Sequence, residues 1–438
     1  MSHHRFEHSS PAVKKNLALF HLPSTELGVE RVQWVNYRPV SQSDEGPIEF
    51  VVSGAGRHYV DLQNTKLFIK AKIVKPDGSS LPSILKDSSA PPTAENMNSE
   101  AFASPANLWL HTLFSQIDLL MQQELVQTST LYPYRSYIET LIYPYEPCLG
   151  ESEMYYKDSF MAMDATKVLV ENNEGLDRRN FRGIKSNEID MEGTLHMDLC
   201  QQSRYILNGV DIGLRLWHAR DSFRLMSEIG ECEVKITDAV LKVCKVEISP
   251  ALLNTHNNVM KHTMTAKYPY ERTEMKSFSI MPGLLSFDSE DLFQGEVPNK
   301  IICGIVTSSA FNGHYQKNAF NFQHAYISEI GITVDDVPVP QKSLHTKFGN
   351  HNMAAEAFRT LFEDNPDLNI TRDEYEHGYT LFSFTLRKGS HEYMNTLQKG
   401  NCSIHMKFDK VTKENMTLII MARFPHVLEI DNDCKVSV

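Results

Sequence analysis

The chain has 438 residues, of which 41% are hydrophobic and 22% charged, so its composition is that of a folded protein and excludes a largely disordered one. It carries 43 Lys and Arg against 55 Asp and Glu, and the formal net charge of −12 excludes a dedicated nucleic-acid-binding protein with a basic face. No apolar run approaches the ~20 residues that span a bilayer, and the polar, His-rich segment 1–10 does not resemble a signal peptide. We therefore expect a protein without integral membrane association that acts, or is assembled, inside a cell.

The seven cysteines are an odd number, and no two of them form a C-x-x-C pair. Neither a zinc knuckle nor a dithiol redox motif is predicted, and we expect free thiols. Cys232 and Cys402 fall on the apolar sides of alternating segments, where a thiol behaves as a small hydrophobic group.

The first predicted elements begin at residue 45, after an N-terminal segment, 1–44, that we expect to be partly extended or disordered. Apolar and polar residues alternate over Lys66–Ile73, and the alternation stops at the turn sequence Lys75-Pro76-Asp77-Gly78. The next segment, 79–107, contains four prolines among many Ser, Asn and Ala, which predicts an exposed, mobile loop.

Alternation with a period of two dominates the rest of the chain, which indicates strands with one buried face. The further alternating segments are Met191–Leu199, Cys232–Ile236, Phe382–Leu386 and Ile404–Phe408. Two segments instead have helical spacing of apolar residues, near 133–143 before Pro144 and near 353–363 before Pro366.

The order of elements predicts an internal duplication. Phe114–Val126 and Ile327–Val339 both have the pattern of a strand, a polar turn and a short return strand, and each precedes one of the two helices. Gly230-Glu231-Cys232 and Gly400-Asn401-Cys402 then open a further strand in each half. We therefore predict an all-β, mainly antiparallel protein of two tandem jelly-roll sandwiches, with one short helix in a long connection of each.

The predicted boundaries follow from this pattern. The first jelly roll covers 45–250 and includes the loop 79–107, a linker covers 251–266, and the second jelly roll with a C-terminal tail covers 267–438.

Motifs for chemistry are weak. Gly54-Ala55-Gly56 lacks the third glycine and the following helix of a phosphate-binding loop, so a tight bend between two strands is predicted. Asp335-Asp336 and Glu363-Asp364 fall where turns or helix ends are expected, and spacing alone does not identify them as a catalytic pair.

The 18 histidines are scattered. His3, His4 and His8 would bind metal only incidentally, and His196 and His405 are predicted on the polar sides of strands. The sequence therefore predicts no catalytic residue, no cofactor-binding residue, no metal ligand and no cofactor.

One passage resembles a known family. Pro47–Leu62, Thr65–Ile73 and Pro76-Asp77-Gly78 look like the opening strands of double jelly-roll major capsid proteins of the Polinton (Maverick) and adintovirus type. Leu108–Asp118, with its Phe-Ser-Gln-Ile-Asp sequence, resembles the next stretch of that family. The close resemblance covers about residues 45–145, and beyond them only the order of elements agrees.

The resemblance implies a structural protein and not an enzyme. Three copies would form a pseudo-hexagonal capsomer of an icosahedral shell around double-stranded DNA, made and assembled inside the host cell and located in the virion capsid. The implied partners are the chain itself, as a homotrimer and then between capsomers, a penton protein and minor capsid proteins, with at most weak, non-specific contact with DNA.

The alternative is a double jelly-roll protein that binds or hydrolyses glycans. A glycan hydrolase would have a deep cleft with converging carboxylates and tryptophans, yet the chain has only three tryptophans, Trp34, Trp109 and Trp217. A lectin-like binding module would usually be secreted and carry disulfides or calcium-binding Asp clusters, and neither is evident in the sequence.

Overall fold

The computed structural model describes residues 25–41, 46–86, 96, 98, 101, 103–143, 147–262, 264–340, 342–349, 353–363, 368–387 and 396–437. Its principal strands form two β-sandwiches, one in each half of the chain, and neighbouring strands in these sheets are antiparallel.

The first half contains eight principal strands in two four-stranded sheets. One sheet has the order β1-β8-β3-β6 and the other β2-β7-β4-β5. The strands are β1 (Val29–Tyr37), β2 (Ile48–Val52), β3 (His58–Val74), β4 (Phe114–Met121), β5 (Glu124–Thr130), β6 (Ile189–Thr194), β7 (Ile212–His218) and β8 (Glu233–Ile248).

The second half repeats this arrangement. Its sheets have the orders β9-β16-β11-β14 and β10-β15-β12-β13, so each strand occupies the place of the strand numbered eight lower. The strands are β9 (Ala266–Ile280), β10 (Ser286–Ser289), β11 (Lys300–Thr307), β12 (Ile327–Val334), β13 (Val337–Pro338), β14 (Leu381–Thr385), β15 (Cys402–Phe408) and β16 (Met416–Ile430). Two Greek keys of this order make a jelly roll.

Short strands extend the sheets or form small ribbons outside them. Ala103–Pro105 pairs with Leu225–Ser227, and Glu296–Val297 pairs with Gln398–Lys399. Leu344–His345 pairs with β12, and Val436–Ser437 pairs with β16.

The helices lie between strands. They are α1 (Trp109–Thr112), α2 (Tyr132–Ile142), α3 (Pro147–Ser152), α4 (Glu174–Arg182), α5 (Asp221–Arg224), α6 (Pro250–Lys261), α7 (Ser308–Asn312), α8 (Ala355–Thr360) and α9 (Arg372–Glu376). Short 3₁₀ turns within the described residues include Phe160–Ala162, Ile184–Ser186 and Asp198–Cys200. The two helices predicted from spacing correspond to α2 and α8, which occupy the connection between the fifth and sixth strands of their own half.

Long connections gather at one end of each sandwich. Because neighbouring strands are antiparallel, the connections that follow odd-numbered strands lie at one end and those that follow even-numbered strands at the other. The longest ones follow the third and fifth strands of each half, and we call the end that they form the long-connection end. They are residues 75–113, 131–188, 308–326 and 339–380.

The first strand corrects the predicted boundary at residue 45. β1 lies in the segment predicted as partly extended or disordered, yet it pairs with β8 from Val29↔Ile248 to Tyr37↔Leu241 and completes the first sheet. It is an edge strand with much of its surface exposed, so its sequence lacks the regular alternation that identified strands such as β3 and β15.

The loop 79–107 is not exposed throughout. Leu81, Ile84 and Ala101 are buried, and Ile84 and Ala101 pack with Val168 in a small apolar cluster. Residues 103–105 form a buried strand, and much of the remaining segment lies outside the described residues. The polar composition of the loop obscured these few apolar positions.

Two predicted strands also differ. β6 ends at Thr194, and residues 198–200 form a 3₁₀ turn instead of continuing the alternation. Cys232 precedes β8, the eighth strand of its half, whereas Cys402 opens β15, the seventh. The two Gly-x-Cys sequences are therefore not equivalent, and β7 is the true counterpart of β15.

The predicted linker, 251–266, includes most of α6. Pro250 lies at the start of this helix, and the Ser249 hydroxyl accepts a hydrogen bond from the Leu252 amide at 3.4 Å. The helix has no buried residue, which explains why its sequence shows no continuous apolar face.

Candidate functional site: the junction of the two sandwiches

Helix α2 belongs to the first half but packs into the core of the second. All eleven of its residues are buried. Tyr137 stacks on Phe320 with ring centroids 4.1 Å apart, and Tyr134 lies edge-on to Phe320 and Phe322. The apolar residues at helical spacing that predicted α2 from the sequence are therefore the residues that join the two halves.

The other side of α2 carries buried charges that bridge the halves. Arg135 donates to Glu139 Oε1 at 3.1 Å and to Asp198 Oδ1 at 2.6 Å. Arg423 of β16 donates to Glu139 Oε1 at 3.2 Å, and Asp198 Oδ2 accepts from the Thr273 amide of β9 at 3.1 Å. Two carboxylates of the first half thus bind groups on both the first and last strands of the second.

Electrostatics keeps this cluster ionised. Burial alone would raise the pKa of Glu139, but Arg135, the hydrogen bond with His196, and Arg423 outweigh it and hold the pKa well below its ordinary value. Burial likewise opposes the charge of Arg135, and Asp198 and Glu139 reverse the effect and raise its pKa. In such a cluster each buried charge is balanced by an opposite one, so the loss of one member leaves the others buried and unpaired. The cluster therefore fixes the position of one half against the other.

A third buried carboxylate, Asp158, joins long connections of both halves. Its oxygens accept hydrogen bonds from Arg179 at 2.8 Å and from Asn318 at 3.1 Å, and its backbone carbonyl accepts from Tyr379 at 2.7 Å. Asn107 and Asn173 donate to the same carboxylate at 3.2 and 3.0 Å. Nearby, Lys157 forms an ion pair with Glu374 at 2.7 Å.

These contacts define the relative direction of the sandwiches. Asp158 lies in connection 131–188, Asn318 in 308–326 and Tyr379 in 339–380, so the long-connection ends of both halves meet. At the opposite end, Arg204, in the connection that follows β6, donates to the Lys267 carbonyl at the start of β9 at 2.6 Å. Because like ends meet at both ends, the two sandwiches stand side by side and point the same way.

Three side chains suited to metal binding meet inside the first half: His111, Glu153 and His196. Each offers one ligand atom, and these atoms lie within 4.8 Å of one another. His111 is 1% exposed, and burial lowers its pKa against the opposing effect of Glu153. Of the three, the sequence singled out only His196, as a residue of a polar strand face. The structure places it after β6, with 14% of its side chain exposed.

The remaining candidate motifs have structural roles. Gly54 needs its lack of a side chain because a Cβ there would lie 2.4 Å from the Val210 carbonyl oxygen, and Gly56 has a φ of +110°. The segment between β2 and β3 is thus the predicted tight bend. His405 lies on β15, and its Nε2 is 2.7 Å from the Ser343 hydroxyl. His3, His4 and His8 lie outside the described residues.

The carboxylate pairs also have structural positions. Asp335 and Asp336 form the turn between β12 and β13, as expected, and Asp335 accepts a hydrogen bond from the Asn401 amide at 2.8 Å. Glu363 follows α8, whereas Asp364 lies outside the described residues. The free cysteines in the described part of the chain are Cys200, Cys232, Cys244, Cys303, Cys402 and Cys434.

The tryptophans do not converge. Trp109 is buried and donates to the Arg224 carbonyl at 3.0 Å, Trp34 lies on edge strand β1, and Trp217 donates to Asp118 at 2.7 Å on β4. The three tryptophans therefore do not form the converging set that the hydrolase alternative predicts. None of the described helices is long and apolar enough to cross a membrane.

The architecture is that of a double jelly roll. A chain in the cryo-EM structure of the Sputnik virophage is similar in fold, with a TM-score of 0.62 and 11% identity over 98% of this chain and 93% of that chain. The Faustovirus major capsid protein matches with a TM-score of 0.54 and 8% identity over 94% of this chain and 92% of its own. The mavirus major capsid protein matches with a TM-score of 0.51 and 11% identity over 100% of this chain and 96% of its own.

The predicted resemblance to double jelly-roll major capsid proteins is therefore confirmed in the fold. In sequence, the chain is 24% identical over 439 aligned positions to an uncharacterised protein of Caenorhabditis elegans, covering 94% of this chain and 97% of that protein. No protein-family model matches the chain.

Proposed function

We propose that the chain is a major capsid protein with a structural role and no catalytic activity of its own. The observation that carries this proposal is the pair of sandwiches with one strand order, joined by buried contacts and pointing the same way. Two similar sandwiches, rigidly joined and parallel to each other, are suited to pack side by side in a closed surface layer. The whole-length fold similarity to two viral major capsid proteins supports the same conclusion.

The proposed oligomer is a homotrimer. Three chains around a threefold axis present six similar sandwiches, which together approximate a hexagonal block. The contacts between chains would not depend on disulfides, because the cysteines found free within the described residues are mostly buried. They would instead require interfaces of ~2,000 Å² or more, as in other obligate assemblies.

The virion capsid is the proposed location, and the enclosed genome would be double-stranded DNA. Copies of the chain, a penton protein and minor capsid proteins are the proposed partners, and the net charge of −12 limits contact with DNA to weak, non-specific binding. The Polinton or adintovirus type is proposed from the sequence resemblance over residues 45–145. Such elements occur as integrated copies in animal genomes, and a whole-length relative in a nematode is consistent with that origin.

Light scattering on the purified full-length chain tests the trimer. We expect a mass of about 150 kDa, three times the chain mass of 50.0 kDa, with and without a reducing agent. Negative-stain electron microscopy should then show particles with a hexagonal outline. A stable monomer of 50.0 kDa at micromolar concentration would contradict the proposal. Specific binding on a glycan array would favour the glycan alternative.

A further inference from the structure

We propose that His111, Glu153 and His196 form a binding site for one divalent transition-metal ion, with Zn²⁺ as the ion that best suits the ligands. Two imidazoles and one carboxylate are a ligand set that Zn²⁺ uses widely, with water completing the coordination. The His111 and His196 rings are edge-on with centroids 4.7 Å apart, and His111 Nε2 lies 3.5 Å from Glu153 Oε2. A metal site at this position goes beyond the proposed function.

The second layer of contacts orients both imidazoles. His196 Nδ1 lies 2.8 Å from Glu139 Oε2. Because Nδ1 is held by this carboxylate, Nε2 is the ring nitrogen that can bind an ion. His111 Nδ1 lies 2.8 Å from the Tyr132 hydroxyl, so the Nε2 of His111 is likewise the nitrogen that can bind an ion. Histidine ligands of metals characteristically have their other ring nitrogen held by a carboxylate or another polar group.

One ligand atom is buried without a hydrogen bond. Within the described part of the chain, His111 Nε2 makes none, and its separation from Glu153 is longer than an ordinary hydrogen bond. Buried polar atoms in native proteins are nearly always paired, so an orphaned ring nitrogen that faces a carboxylate indicates a missing third group. A metal ion at this position would bind the unpaired His111 Nε2, and any proton on that nitrogen would leave to solvent.

The strand beside the cluster leaves room for the carboxylate. Gly193 lies on β6, and a Cβ at this position would come within 2.0 Å of Glu153 Oε1. An alanine would therefore push the Glu153 carboxylate out of its place. A glycine inside a strand weakens it, and the close approach of Glu153 gives this glycine a specific role.

The three ligands come from three distant parts of the sequence. His111 lies in α1 at the end of connection 75–113, Glu153 follows α3 in connection 131–188, and His196 follows β6. A bound ion would tie these segments together and, through Glu139, would join them to the charges that bridge the halves. The expected role is therefore structural.

The test uses the full-length chain in which His3, His4 and His8 are replaced by Ser, because these residues could bind metal by themselves. After treatment with a chelator and incubation with Zn²⁺, gel-filtered protein should contain one Zn²⁺ per chain by elemental analysis and melt at a higher temperature than the metal-free protein. His196→Gln should abolish both effects. The matched control is His405→Gln, which also alters a partly buried histidine beside a hydroxyl and a glutamate. It should leave the zinc content and the rise in melting temperature unchanged.

A measurement on the unsubstituted cluster covers the case in which His196→Gln does not fold. X-ray absorption at the zinc edge should show scattering from two imidazoles, and Gly193→Ala should weaken zinc binding by tenfold or more because it displaces Glu153. Less than stoichiometric zinc, zinc retained by folded His196→Gln, or a zinc spectrum without imidazole scattering would each overturn the proposal. None of these outcomes bears on the trimer, which light scattering tests separately.

Discussion

Two residues with positive φ close the corresponding hairpin in each half. Gln122 and Gln123 have φ values of 52° and 67°, and Asp335 and Asp336 have 50° and 63°. Both turns are held in the same way: the Gln122 amide donates to the Asp211 carbonyl, and the Asp335 amide donates to the Asn401 carbonyl, each at 2.9 Å. The accepting residue in each case directly precedes the seventh strand of its half, so the duplication is visible in single hydrogen bonds.

Glutamine is poorly suited to this backbone conformation, which favours Asn, Asp and Gly. We expect Gln123→Gly to raise the free energy of unfolding by about 0.5–1 kcal/mol, because relief of the left-handed strain exceeds the added freedom of the unfolded chain. Urea denaturation measures the change. Gln33→Gly in strand β1 is the control and should lower stability by about 0.5–1 kcal/mol. Destabilisation by Gln123→Gly would contradict the assigned turn.

His324 predicts a pH dependence of stability. Its ring stacks on Phe348 with centroids 4.6 Å apart, and burial, with the nearby His377 and Lys410, lowers its pKa from 6.5 to about 4. Between these values the unfolded chain binds more protons than the folded one. The contribution of His324 to stability is therefore complete above pH 6.5 and is lost as the pH falls towards 4.

His324→Phe keeps an aromatic ring against Phe348 and removes this titration. The loss of stability between about pH 7 and about pH 5, measured by urea denaturation, should be smaller in the variant than in the native chain. An equal loss in His324→Phe and the native chain would show that His324 does not titrate as stated.

At the scale of single elements, α2 has the largest consequences. It is a short helix, but it contributes apolar side chains to the core of the second half and charges to the network around Glu139. We expect Glu139→Gln to lower the free energy of unfolding by about 3 kcal/mol near neutral pH, because Arg135 and Arg423 lose a buried anionic partner.

Helix α4 supplies the matched control. Glu174 forms an ion pair with Arg178 at 2.7 Å, and the two residues are four apart in the sequence, as Arg135 and Glu139 are. The side chains of Glu174 and Arg178 are both exposed. Glu174→Gln should cost about 0.5 kcal/mol or less. Because the Glu139 pKa lies below its ordinary value of 4.5, the advantage of the native chain over Glu139→Gln should shrink as the pH falls below 4.5. Similar costs for both substitutions would contradict the role of α2.

The sequence predicted the elements whose pattern is local. Within β3, the alternation over Lys66–Ile73 matches the burial: Leu67, Ile69, Ala71 and Ile73 are fully buried while the lysines between them are not. α2 was predicted because its apolar residues follow a helical period and a proline follows it. In both cases one face packs on a uniform apolar surface, so burial leaves a regular trace in the sequence.

Other elements left no such trace. β1 is an exposed edge strand, α6 has no buried residue, and every residue of β11 is buried, so its two faces do not alternate. The cluster of His111, Glu153 and His196 is also invisible to spacing, because long connections bring its members together. Which residues meet at the junction depends on tertiary contacts. The sequence therefore predicted that α2 is a helix, but it did not predict that α2 packs against Phe320.

For the whole molecule, the shared core predicts that the two sandwiches unfold together. Tyr134, Tyr137 and Ile138 of the first half belong to the core cluster of the second, while Tyr268, Leu428 and Ile430 of the second half belong to that of the first. Separation of the halves would expose both sets to water. We expect one cooperative transition, with calorimetric and van't Hoff enthalpies in agreement.

The tryptophans provide a probe of one half. Trp34, Trp109 and Trp217 all lie in the first half, so fluorescence follows that half, while hydrogen exchange in β16 follows the second. Tyr137→Ala should shift both signals to lower denaturant by the same amount, with a loss of about 3 kcal/mol. Two resolved transitions in the native chain would show that the halves are independent.

The exchange of core residues between the halves also has a consequence for synthesis. Translation completes α2 long before Phe320 and Phe322 leave the ribosome, so its aromatic side chains have no partners in the nascent chain. The first sandwich would then be prone to aggregation during this interval. A gene copy interrupted near codon 250 would accordingly yield no usable half-protein, because the shortened product would permanently expose Tyr134 and Tyr137.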